Sequence, residues 1–204
     1  MNALELVTSK YAVDPAARHF PIALPISRSV ELIGLWRELE FTAGAEIGVE
    51  QGIFSAEILA AMPSVKLYCV DPWRAYNRYM DHVSQGKLDR YYDEAIERLA
   101  KYIERCQIIR QTSMDAVGAF ADNSLDFVYV DANHHFDFVV RDIIEWSRKV
   151  RSGGIVSGHD YRSDKGRLPF HVIEATQAYA SAYKIRPWFI TRADGDASWF
   201  WVKP

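Results

Sequence analysis

Ala45-Glu46-Ile47-Gly48-Val49-Glu50-Gln51-Gly52 decides the fold of this 204-residue chain. The apolar run before Gly48 has the look of a buried parallel strand. The segment Phe54 to Met62 has the look of the helix that follows it. Glycines at such a turn let the backbone come close to a ligand, and the helix start offers free N–H groups. About twenty residues on, a second strand ends at Val70-Asp71, where an acid can accept hydrogen bonds from ribose hydroxyls. The layout suits a ligand that contains adenosine.

Working outward, strands and helices alternate. Strands are expected at Ala45–Val49, Leu67–Val70, Gln107–Arg110, Phe127–Val130 and Ile155–Ser157, and helices at 54–62, 88–104, 113–121 and 136–150. This pattern predicts a parallel sheet with helices on both faces and right-handed crossovers. A helix near 170–183 and two aromatic strands, Trp188–Thr191 and Ser198–Val202, close the chain. Ala193-Asp194-Gly195-Asp196 between those strands reads as a hairpin turn. The expectation is an α/β Rossmann-like three-layer sandwich with a mostly parallel seven-stranded sheet that ends in an antiparallel hairpin. Residues 1–44 read as an N-terminal arm and helix. The arm to residue 26 carries Pro15, Pro21 and Pro25, and Ser27 caps a helix to about Glu40. Residues 45–204 read as the main domain, with an aromatic insert at 73–92.

Composition bounds the function. A net charge of −3 gives no electrostatic reason to expect nucleic acid. No apolar run approaches the ~20 residues of a membrane span, and Met1–Lys10 lacks the features of a signal peptide. Cys69 and Cys106 show no metal spacing and read as buried thiols of a cytoplasmic protein.

Gly48-x-x-x-Gly52 is not the dinucleotide pattern G-x-G-x-x-G. Glu46, at the strand end, needs a ligand or loop N–H to offset its burial. With Asp71 at the right distance, a cofactor site is favoured over a plain structural turn. Glu46-x-Gly48-x-x-x-Gly52 and Asp71 resemble motifs I and II of class I S-adenosylmethionine-dependent methyltransferases, in the branch that includes catechol O-methyltransferase. The resemblance extends through Asp131-Ala132-Asn133-His134-His135-Phe136, then Asp142 and Trp146, then Gly153-Gly154 and Gly158-His159-Asp160-Tyr161. That order is similar to the macrocin O-methyltransferase group, although Ala132 and Phe136 stand where glycine and tyrosine are usual.

The resemblance implies S-adenosyl-L-methionine as cofactor. It implies Gly48 and Gly52 beside the methionine part, Glu46 ordering that pocket, Asp71 on the ribose, and Ser113 and Met114 at the adenine. Ser113 also reads as a helix N-cap. Polar groups at parallel strand ends converge on one crevice, so Asp131, His134, His159 and Asp160 are the candidate catalytic residues, and Asp131 also borders the cofactor. A divalent metal on Asp131, His159 and Asp160 is one use of this cluster. Because His159 falls where an acid usually stands, magnesium is disfavoured. Metal-free base catalysis is the other use, with His134 a better candidate than His135. Asp142 and Trp146 read as structural, and Gly153-Gly154 reads as a helix C-cap and tight turn before the next strand. Tyr91 and Tyr92 read as a satellite core, Trp73 to Tyr79, with Arg74, Tyr76 and Arg78, as a lid, and Arg162, Lys165 and Arg167 as a small basic patch. The expected activity is methyl transfer to a small-molecule acceptor, at a hydroxyl oxygen. The rivals are a nicotinamide-dependent oxidoreductase and a non-catalytic methyltransferase-like scaffold. No nucleic-acid or membrane partner is expected, and the N-terminal helix and C-terminal hairpin offer faces for a homo-oligomer.

Overall fold

The computed structural model describes residues 2–14, 16–76, 84–163, 170–193 and 195–204. Pro15, Arg78, Tyr79, Lys165, Arg167 and Asp194, all named above, lie outside the described residues.

Strands and helices alternate in the order β1 (Ile22–Leu24), β2 (Ala43–Ile47), β3 (Lys66–Val70), β4 (Cys106–Ile109), β5 (Leu125–Val130), β6 (Val150–Gly158), β7 (Phe189–Thr191) and β8 (Trp199–Val202). The α-helices are α1 (Ala3–Lys10), α2 (Ile33–Glu38), α3 (Ile53–Ala61), α4 (Gln85–Leu99), α5 (Ser113–Ala116), α6 (Phe136–Lys149) and α7 (Val172–Ala182). The sheet order is β1-β7-β8-β6-β5-β2-β3-β4. β6 through β4 run parallel, while β8 is antiparallel to both β6 and β7. The chain moves outward from β2 to β4 and then crosses back to β5. The topological switch point therefore falls between β2 and β5, where open α/β sheets bind ligands.

Three expectations are corrected. The sheet has eight strands, because Ile22–Leu24 adds a parallel edge strand on β7. Prolines on either side concealed so short a strand in what was read as an irregular arm. The same arm holds α1, whose Asn2 and Glu5 form a reciprocal capping box. Gly153-Gly154 does not end a helix: α6 stops at Lys149 and β6 already includes both glycines. Beside them the pairing of β5 with β6 shifts register between Leu125 and Phe127.

Strand alternation divides the core in two. Phe127 and Tyr129 face α1 to α4, while Val128 and Val130 face α5 to α7. Trp36 of α2 is fully buried and stacks on Phe127, with centroids 4.1 Å apart. Ser27 accepts a hydrogen bond from the Val30 N–H at 3.3 Å and so caps the first turn of this segment, as read from sequence. Cys69 and Cys106 are free and buried, with their sulfurs 3.7 Å apart.

Trp36 Nε1 has no hydrogen-bond partner among the described residues, so its contribution is packing. Trp36→Ala should lower unfolding free energy by about 3–5 kcal/mol. Trp36→Phe should cost clearly less. Urea denaturation measures both, and equal losses would contradict a packing role.

Candidate functional site

The carboxyl ends of β2 to β6 open into a cavity of about 780 Å³, within the range of small-molecule sites. Its wall includes every predicted site residue except Gly52: Glu46, Gly48, Asp71, Ser113, Met114, Asp131, His134, His159 and Asp160.

At the switch point Gly48 has φ +92°, and a Cβ there would lie 1.9 Å from the Asp131 carbonyl oxygen. The Asp131 N–H donates to Ile47 O at 2.7 Å and the Gly48 N–H to Val70 O at 2.8 Å. Gly48 is thus required by the contact between two strand ends, which the single motif could not reveal. Gly52 caps α3 in the left-handed region, and a Cβ there would press on Leu99 and Ala95 of α4. Both glycines answer to protein contacts before any ligand.

Asp71 shapes the same turn. Its Oδ2 accepts from the N–H groups of Val49 and Glu50 at 2.9 and 3.0 Å, and its Oδ1 from Trp73 N–H at 2.7 Å. A carboxylate offers about four acceptor positions, so one is left for a ligand. Trp73 is buried, donates Nε1–H to Glu50 O at 2.7 Å and packs on Tyr92. It is therefore a core residue and not part of a lid, because its indole closes the turn from behind. Tyr91 and Tyr92 pack against the same core, as expected.

Glu46 is 3% exposed and accepts a hydrogen bond from Ser55 Oγ. Burial pushes its carboxyl up to about 8, against that hydrogen bond. Burial also raises Asp71, against its three backbone donors.

Ser113 is not the N-cap. Thr112 is, accepting from the Asp115 N–H at 3.3 Å. Ser113 Oγ instead donates to Asp142 Oδ1 and accepts from Trp146 Nε1–H at 2.8 Å. The Asp142-x-x-x-Trp146 spacing puts both side chains on one face of α6, where they meet this hydroxyl. Burial pushes the Asp142 carboxyl up to about 7.

At the other end Asp131 is a hub. Its Oδ2 lies 3.6 Å from both Arg28 Nη1 and His159 Nδ1, and its Oδ1 lies 3.9 Å from His134 Nε2. His134 Nε2 also lies 2.8 Å from Asp160 Oδ2, a close charge contact rather than a well-directed hydrogen bond. Its ring stacks on Phe170. Burial would lower His134, but Asp131 and Asp160 outweigh it and hold the imidazole up at about 9. His159 is raised for the same reason. Asp160 shows the reverse: burial works upward, and the two histidines hold it well below the carboxylate range. Asp131, His134 and Asp160 bring ligand atoms within 4.8 Å of one another. That triad differs from the expected Asp131, His159 and Asp160, because the loop after β5 turns His134 onto Asp160. His135 instead faces Phe138 and His171.

Arg28 was not anticipated. It precedes α2, lies over the Phe54 ring at 4.9 Å and donates to Tyr129 OH at 3.3 Å. An arginine beside a helix start reads as solvated, and no local pattern marks it. Arg162, of the expected basic patch, places Nε 3.2 Å from Asp160 Oδ1 and its guanidinium over Phe170. No helix among the described residues is long and apolar enough to cross a membrane.

A family model described as a methyltransferase domain matches residues 45–161. An uncharacterized protein of Sinorhizobium fredii, y4gI, is 22% identical over 144 residues, or 71% of this chain. The chain spans only 15% of that protein's length. Among solved structures, one from Staphylococcus aureus assigned as a caffeoyl-CoA O-methyltransferase aligns with TM-score 0.63 and 15% identity, over 98% of this chain and 90% of that one. The cofactor-bound Rv0187 from MTB aligns with TM-score 0.60 and 15% identity, over 98% and 88%. These structural likenesses establish the fold.

The raised groups set a pH dependence of stability. Glu46 and Asp142 unfold to ordinary values of 4.5 and 3.8 but keep their protons to about 8 and 7 when folded. Folding therefore takes up protons between those values, and stability falls as pH rises through them. The His134 contribution is complete below 6.5 and is lost as pH rises through about 9. The ligand-free melting temperature should fall between pH 5 and 9. Glu46→Gln and Asp142→Asn should flatten the part below pH 8. Scanning calorimetry checks this; a rising midpoint over that window would contradict it.

Proposed function

The chain belongs to the methyltransferase-domain family through residues 45–161, and from that premise we propose that it moves a methyl group from S-adenosylmethionine to a hydroxyl oxygen of a small molecule. The observation that carries the reading is the row of carboxylates along one cavity: Asp142, Asp71, Glu46, Asp131 and Asp160. S-adenosylmethionine presents hydrogen-bond donors and positive charge along its length, in its amine, ribose hydroxyls, ammonium and sulfonium. Acidic and acceptor groups are the matching chemistry. When bound, it supplies a methyl group already made electrophilic by the sulfonium.

The protein's part is alignment and the exclusion of water. Glu46 and Asp71 anchor the cofactor beside Gly48. Asp131 accepts a hydrogen bond from the acceptor hydroxyl at the switch point, steered by Arg28 and His159. His134, cationic at neutral pH, orients the acceptor oxygen, and serves as a base only above its raised value. A divalent metal would be held by Asp131, His134 and Asp160, and would polarise the acceptor oxygen there. Two carboxylates and an imidazole suit manganese, iron or zinc better than magnesium, and binding would require His134 to release its proton.

Neither rival gains from these findings. An oxidoreductase of the dinucleotide type calls for a third glycine and a second βαβ half, whereas β7 and β8 close this sheet antiparallel to each other. Intact acids throughout the cavity speak against a scaffold without turnover.

Titration calorimetry with S-adenosylhomocysteine should show micromolar binding, weakened about tenfold or more by Asp71→Asn. No heat at several hundred micromolar would sink the cofactor assignment. For the metal, zinc or manganese titration should show one site that His134→Gln removes and His159→Gln leaves within about threefold. The opposite ranking would restore the triad with His159.

A further inference from the structure

We propose that Arg98 of α4 is a positioning residue for Asp71, acting through peptide units of the turn that lies between them. This rests on the reading of Asp71 as an anchor for the bound ligand. It goes beyond that reading by assigning control of the anchor to a side chain outside the cavity wall.

Gly48 to Gln51 line the cavity, and the outer side of the same turn meets α4. Glu94 and Arg98 stand four residues apart on α4, the spacing at which opposite charges pair along a helix. Here they do not pair with each other. Arg98 Nη1–H donates to the carbonyl oxygen of Gln51, and Glu94 Oε2 accepts from Gln51 Nε2–H. The half-buried Arg98 has no other hydrogen bond and no ion pair among the described residues. A guanidinium spent on one backbone carbonyl, with a glutamate in reach on its own helix, fixes the direction of that carbonyl.

From Gln51 the constraint runs inward. A peptide unit is planar, so its C=O and N–H turn together. The unit between Gln51 and Gly52 has its carbonyl on Arg98 and its N–H on Val49 O, at 2.8 Å. The unit between Val49 and Glu50 therefore has its carbonyl on Gly52 N–H, and its own N–H donates to Asp71 Oδ2 at 3.0 Å. The chain runs donor to acceptor from a cation to an anion, so its members polarise one another in the same sense. Glu50 is held at φ +50°, in the left-handed region that residues with a Cβ rarely adopt. Such a turn depends on contacts from outside itself. Trp73 supplies one at the Glu50 carbonyl, and Arg98 supplies the next at Gln51. Without Arg98 the unit between Gln51 and Gly52 is released, and Asp71 loses the donors that aim its remaining acceptor position at the cavity.

Titration calorimetry with S-adenosylhomocysteine on the full chain tests this in a double-mutant cycle. Arg98→Met should weaken binding about fivefold or more, the scale of one hydrogen bond to a charged group. Asp71→Asn should weaken it as stated above. The variant carrying both changes should bind within about twofold of Asp71→Asn alone, because Arg98 acts through that carboxylate. A role in general packing would instead make the two losses multiply. Arg98→Lys, which keeps a cationic donor, should stay within about threefold of wild type. If Arg98→Met does not fold, Arg98→Gln takes its place in the same cycle. Losses that multiply overturn the proposal. So does binding by Arg98→Met within about twofold of wild type. If wild type and Asp71→Asn bind equally well, the cavity still takes the cofactor, and the roles of Asp71 and Arg98 fall. If wild type does not bind, the cofactor reading falls, and this assignment with it.

Discussion

A Cβ on Gly48 would lie 1.9 Å from the carbonyl oxygen of Asp131, and the site depends on that closeness. β2 and β5 are neighbours in the sheet, but the chain leaves β2 in one direction and returns to β5 from the other side. Their carboxyl ends therefore diverge into separate loops above a shared ladder. Gly48 allows the ladder to continue to its last residue, with the Asp131 N–H bonded to Ile47 O. The result sets the Gly48 turn and Asp131 side by side on rigid backbone.

The cavity then has two electrostatic characters. Toward β6, Asp131 and Asp160 are compensated by Arg28, His134, His159 and Arg162, and Asp160 is held ionised. Toward β3 and β4, Glu46 and Asp142 are buried and Asp71 half-buried, with hydrogen bonds but no ion pairs among the described residues, and loss of solvent raises all three. The first end is a balanced charge network that can orient an acceptor. The second is a row of acids that suits a ligand bearing donors and positive charge. The methyl transfer proposed above would draw on both ends, the row of acids for a cationic donor and the charge network for an acceptor.

Much of this was legible before any coordinates. The alternation of apolar runs gave the parallel sheet, and aromatic pairs near the C-terminus gave its antiparallel closure. Glu46, Gly48, Asp71, Asp131, His134, His159 and Asp160 all border the cavity. The misreadings have local causes. Ile22–Leu24 is three residues long between prolines, and it becomes a strand only because β7 offers a parallel edge. Trp73 looked like part of a lid because it sits in an aromatic stretch, but its indole fills the space behind the cofactor turn.

The sequence by itself determined the layers, the turn at Gly48 and the identity of the acids at the strand ends. Those features follow from periodicity and from residues adjacent in the chain, which act over a few ångströms along the backbone. Tertiary structure alone decided which side chains share a charge. Arg28 Nη1 lies 3.6 Å from Asp131 Oδ2 and donates to Tyr129 OH, about a hundred residues away in sequence. His134 comes closer to Asp160 than His159 does, at 2.8 against 3.7 Å, and Ser113 meets Asp142 instead of capping a helix. Coulomb and hydrogen-bond energies depend on separations in space, and a linear pattern does not encode those for residues brought together from different strand ends.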